Sequence, residues 1–119
     1  MRFKRPFVLA AAMLAGTGNA YADQPKTSVV SVRYVVTEQL PERLETTLLN
    51  PLERTLVALP RVSNVRSVAG HGYVNLEIEF EGGATEPDLA TVSNRIDGLV
   101  LDSKVVVTSR TVLLASPRL

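Results

Sequence analysis

Tyr73-Val74-Asn75-Leu76-Glu77-Ile78-Glu79-Phe80-Glu81 alternates apolar and polar side chains without a fault. Side chains on an extended chain point to opposite faces at period two, so Val74, Leu76, Ile78 and Phe80 share one face and Tyr73, Asn75, Glu77, Glu79 and Glu81 the other. The stretch is therefore a β-strand with one face buried and the other acidic and wet. On its N-terminal side Gly70-His71-Gly72 makes a tight turn, preceded by a weaker strand pattern over Val62 to Ala69. Two strands joined by so short a turn form an antiparallel hairpin.

Working outward, Ser28 to Val36 is rich in β-branched residues, with Val30, Val32, Tyr34 and Val36 on one face, and reads as the first strand. Leu40, Leu44, Leu48, Leu52 and Leu56 then recur every four residues, with charged residues opposite, and predict an amphipathic helix. Pro41 suits its first turn, whereas Pro51 lies inside it and predicts a kink near Leu48. Gly82-Gly83 ends the hairpin, Thr85 caps a second helix with Glu86, Pro87 and Asp88 in its first turn, and Leu89, Val92, Ile96 and Leu99 give that helix a core face. After Asp102-Ser103, Val105 to Leu114 is a last strand. The order β-α-β-β-α-β is the ferredoxin-like split arrangement of the α+β class, a four-stranded antiparallel sheet with two helices on one face. Residues 23–27 and 115–119 read as tails.

The 119 residues suffice for one domain, expected over residues 23–119. Residues 1–22 have the layout of a signal peptide: Arg2, Lys4 and Arg5, then an apolar run from Phe7 to Ala15, then small residues ending at Ala22. That run is shorter than the roughly 20 residues a membrane-crossing helix needs, so cleavage after Ala22 and release to the periplasm is the first expectation. An uncleaved anchor in the inner membrane, facing the periplasm, is the alternative, and membrane contact is expected at most through residues 1–22.

Three of the thirteen Lys and Arg, and none of the twelve Asp and Glu, lie in that segment, so the remainder carries ten against twelve, a net charge of −2. No basic footprint for nucleic acid remains. The absence of cysteine excludes disulfides and thiolate metal sites. His71, the only histidine, sits at the hairpin tip, where an exposed turn residue is the simple reading. No cofactor, metal or catalytic grouping is expected. An acylphosphatase would need a glycine and an arginine in the loop after the first strand, and residues 36–40 have neither.

Arg33 is expected to meet a glutamate across the sheet, while Arg66, Arg95 and Arg110 read as surface arginines. The polar row Tyr73, Asn75, Glu77 and Glu79 has two readings, a solvated sheet face or a surface that faces a partner.

The segments Leu40-Pro41-Glu42-Arg43-Leu44-Glu45, Asn50-Pro51-Leu52-Glu53 and Ala58-Leu59-Pro60-Arg61-Val62-Ser63-Asn64-Val65-Arg66-Ser67 resemble the first periplasmic porter subdomain of resistance-nodulation-division (RND) efflux pumps. The likeness continues through Gly72, Glu79-Phe80 and Gly82-Gly83-Ala84-Thr85-Glu86-Pro87-Asp88-Leu89-Ala90. The chain departs from that pattern at two places: Glu38-Gln39-Leu40 stands where the family has Pro-Gly-Ala, and Arg61 where it has the glycine of Leu-Pro-Gly-Val. The membrane helices and proton relay of a pump do not fit in 119 residues, so this chain is not expected to pump by itself.

The resemblance implies a non-catalytic binding or assembly module that docks to a pump subunit, a periplasmic adaptor or a copy of itself. Two alternatives stand beside it: a truncated transporter fragment held by its N-terminal apolar segment, and a periplasmic small-ligand binder using a groove between the first helix and the sheet.

Overall fold

A computed structural model describes residues 28–119. The expected signal peptide, residues 1–22, and the expected tail at 23–27 lie outside the described residues. Strand β1 spans Val29–Val36. Helix α1 is continuous through three pieces: Pro41–Leu44, a π turn at Glu45–Leu49, and Asn50–Val57. Strands β2, Val62–Ala69, and β3, Tyr73–Phe80, form the hairpin. Helix α2 spans Glu86–Asp97 and strand β4 Val107–Ala115. The sheet order is β2-β3-β1-β4 with every neighbouring pair antiparallel, the ferredoxin-like topology.

One face of the sheet carries the core. Val30, Val32 and Tyr34 of β1 and Val74, Leu76 and Ile78 of β3 are buried under Leu44, Leu48, Leu52 and Leu56 of α1 and Val92 and Ile96 of α2. Fully burying one such aliphatic side chain stabilises by about 1.5–3 kcal/mol, so these positions hold the layers together.

The π turn is where the structure differs from the expected kink. Four residues of ideal α-helix turn through about 400°, so leucines spaced by four drift about 40° per step, and about 120° from Leu44 to Leu56. A straight α-helix would thus carry one end of the row off the core. In the π turn each residue rotates less, as in the Asn50 N–H that donates to the Glu45 carbonyl five residues back. All four leucines are fully buried as a result. The wide turn also lies just ahead of Pro51, whose missing N–H it absorbs in place of a break.

Helix α2 begins at a reciprocal cap. The Thr85 hydroxyl accepts from the Asp88 N–H at 3.4 Å, and the Asp88 carboxylate accepts from the Thr85 N–H at 2.9 Å. Asp88 also accepts from Arg61 Nη1, 2.8 Å from each carboxylate oxygen. Arg61 itself has φ +68°, the left-handed region that favours glycine. Its guanidinium reaches the carbonyls of Glu81 and Gly83 and lies 5.7 Å from the Phe80 ring centre, so the side chain ties the start of β2 to the loop before α2.

Candidate functional site

Both helices cover the same side of the sheet, so the other side is a face of the molecule, built by side chains of opposite parity. The paired registers place Ser31 and Arg33 of β1, Arg66 and Val68 of β2, Tyr73, Asn75, Glu77 and Glu79 of β3, and Thr111 and Leu113 of β4 on it. The four residues singled out from the sequence therefore share one face.

Their surroundings differ from the acidic, wet face expected. Arg33 meets no glutamate: it lies opposite Asn75, donates to its Oδ1 at 3.0 Å, and stacks 4.7 Å from the centre of the Tyr73 ring. Glu77 is only 4% exposed. Arg66 Nη2 donates to it at 3.1 Å and lies 2.9 Å from Glu79.

The remaining cover comes from Ser116–Leu119, which the sequence presents as a tail. The Arg118 N–H donates to Glu77 Oε2 at 2.7 Å, the Leu119 N–H to Oε1 at 3.2 Å, and Arg66 Nη1 bonds the Leu119 carbonyl. A carboxylate with three donors, one of them a guanidinium, is well supplied with hydrogen bonds, which is what burial of a charge requires. The acidity of Glu77 and Glu79 is thus matched within the face. Apolar area remains: Val68 is 40% exposed and Leu113 43%. A shallow hollow of about 280 Å³ between Leu113 and the 116–119 segment is lined by Ser31, Arg33, Glu77, Thr111, Leu113 and Arg118, among others.

Arg66, expected as a surface arginine, is instead the partner of Glu77, and that pairing is within reach of the sequence. Counting back from the Gly70-His71-Gly72 turn pairs Ala69 with Val74, and continues to Arg66 opposite Glu77. Arg33 and the 116–119 segment arrive from distant parts of the chain, and no local pattern announces them.

The other candidates lie elsewhere. His71 is exposed at the hairpin tip, its Nδ1 2.9 Å from the Gln39 carbonyl, so that nitrogen carries the proton. Arg110 pairs with Asp97 at 2.6 Å, an interaction that holds its own pKa up. Tyr34, on the core side, has its hydroxyl pKa raised, chiefly by burial. Arg95 lines an open cleft of about 530 Å³ between the helices with Thr55, Thr91, Asn94, Gly98 and Leu99. The space between α1 and the sheet, where a ligand groove was considered, is filled by the buried leucines. Among the described residues no group of three or more His, Cys, Asp or Glu is placed to hold a metal ion, and no helix is long and apolar enough to cross a membrane.

No protein-family model matches the sequence, and no curated protein matches it significantly. Among solved structures, the crystal structure of a heavy metal efflux pump matches with a TM-score of 0.59 at 22% sequence identity. The match covers 75% of this chain and 9% of the pump chain. What the two share is a fold. This chain is equivalent in extent to a small part of the pump, and the shared fold agrees with the resemblance carried by Leu40–Ala90.

Proposed function

We propose that this chain is a non-catalytic periplasmic assembly module of the RND porter type, exported by residues 1–22, which docks through the open face of its sheet to an efflux protein of the cell envelope. The observation that carries the reading is the one-sided covering of the sheet: both helices lie on one face, and the other leaves Val68 and Leu113 exposed around Arg33. A fold shared with part of a heavy metal efflux pump supports the choice of partner class.

The face also suggests what the partner presents. Glu77 and Glu79 share Arg66, whereas Arg33 hydrogen-bonds the neutral Asn75, stacks on the Tyr73 ring and has no salt bridge among the described residues. A complementary surface offers apolar side chains to Leu113 and Val68 and a carboxylate to Arg33.

Photo-crosslinking side chains placed at Val68 or Leu113 are expected to give one crosslinked product with an efflux-type membrane protein in the producing cell. The same group at Val57, exposed on α1, should not. Equal crosslinking from both sides, or none from the sheet face, overturns the proposal. Intact mass of the exported protein tests the first part separately, with loss of 22 residues expected.

A further inference from the structure

We infer that Ser116–Leu119 is a displaceable strap that occupies the acceptor site of the open face, with Glu77 as its anchor, so that docking requires its release. The inference rests on the proposed docking role of that face. Three observations carry it.

First, the anchor is a carboxylate at the middle of a central strand, held at 4% exposure by atoms that include the strap's own backbone. Its contacts there are N–H groups of Arg118 and Leu119, which any extended polypeptide possesses. A carboxylate accepting two successive backbone N–H groups is a site for main chain, selected by geometry more than by side-chain identity.

Second, the strap adds little to the core. The buried cluster is made of β1, β3, the two helices and the residues around them, and none of residues 116–119 belongs to it. Ser116, Pro117, Arg118 and Leu119 are themselves exposed. Releasing them leaves the two-layer packing intact.

Third, the strap crosses the face where docking is proposed. Leaving β4 at Ala115, it passes Pro117 beside Val29, Ser63 and Glu79 and reaches Glu77 and Arg66 on the far strands. It therefore runs from β4 past β1 and β3 to β2, across the end of the face that carries Val29, Glu77 and Glu79, next to the exposed Leu113.

The test uses the full chain and one probe, an acetylated peptide with the sequence Leu-Ala-Ser-Pro-Arg-Leu of residues 114–119. In the double variant Arg118→Pro/Leu119→Pro the strap has no N–H to donate to Glu77, so the site is empty and the peptide fills it from solution. Backbone NMR shifts at Arg66, Glu77 and Glu79 should titrate with the peptide in this variant at least tenfold more tightly than in the native chain. Adding Glu77→Ala should abolish the response. Amide exchange of Arg118 and Leu119 in the native chain should be slowed at least tenfold relative to an unstructured peptide, and lose most of that protection in Glu77→Gln.

Equal titration of native and strap variants overturns the inference, as does a strap variant that does not respond while its far-UV spectrum is native. Unprotected Arg118 and Leu119 amides overturn it as well. Any of these results leaves the crosslinking test of the docking role standing, because that test does not involve the strap.

Discussion

Arg61 provides the sharpest quantitative test of how this fold is held. Its φ of +68° costs an L-residue about 1 kcal/mol or more relative to glycine, because the Cβ crowds the neighbouring carbonyl. Against that cost stand the bonds to Asp88 and to the carbonyls of Glu81 and Gly83. A charge-assisted hydrogen bond contributes about 1.5–3 kcal/mol when well buried, and the Arg61 side chain is 43% exposed, so about 1–2 kcal/mol is the reasonable share here. Two substitutions separate these effects. Arg61→Ala removes the side chain and keeps the backbone cost, and should destabilise by about 1–2 kcal/mol. Arg61→Gly removes the same bonds and relieves the backbone, and should destabilise by about 1 kcal/mol less than Arg61→Ala.

Elsewhere glycine is the worse of the two by about 0.5–1 kcal/mol, so the ranking itself is diagnostic. Urea unfolding followed by far-UV circular dichroism reads it directly. With a slope of about 1–2 kcal/mol/M for a domain of this size, the midpoint of Arg61→Gly should lie about 0.5–1 M above that of Arg61→Ala. An alanine variant as stable as the glycine variant, or more so, refutes the reasoning.

Asp88→Asn should lower stability near neutral pH, and acid should erase the difference. Burial alone pushes the Asp88 carboxyl up, but Arg61 and the Thr85 amide and hydroxyl outweigh it and hold the pKa below its ordinary value. A carboxyl depressed in the folded state stabilises above its unfolded pKa, so the gap between native chain and variant is full at pH 5–7 and closes as pH falls below about 4, in thermal melts across that range. Gly70→Ala places a Cβ 2.3 Å from the Tyr73 ring, so the ring must leave its place over Arg33. The loss, about 1 kcal/mol, should largely vanish in a Tyr73→Ala background, and equal losses in both backgrounds contradict the clash. Leu48→Ala, at a fully buried site on the π turn, should cost about 2–5 kcal/mol in urea unfolding.

The strand pattern of Tyr73–Phe80 and the leucine row were legible because each period states both the element and its buried face. From them the topology followed. The π turn was half legible. Pro51 marks the place, but the exact spacing of four, which a straight helix cannot keep on one side, is the stronger sign.

The open face was less legible than the core. Period two assigns Glu77 to the side away from the helices and is silent on what else lies there, and a residue neutralised by Arg66 and by N–H groups 41 and 42 positions away looks the same in sequence as a solvated one. Arg61 shows the same limit. A loop residue whose backbone favours glycine is kept in place by an aspartate 27 positions on, a contact that only the folded chain reveals.

A strap joined directly to β4 sees Glu77 at a local concentration of the order of millimolar or higher, because its tether is only a few residues long. For an incoming surface this is a threshold. Whatever contacts it makes with Leu113, Val68 and Arg33, its apparent affinity is reduced by the fraction of time the strap is down. In the proposed docking, weak and incidental encounters would therefore be turned away, while a broad and complementary surface would displace the 116–119 segment. On that reading, the segment that follows the last strand would set how selective the open side of the sheet is.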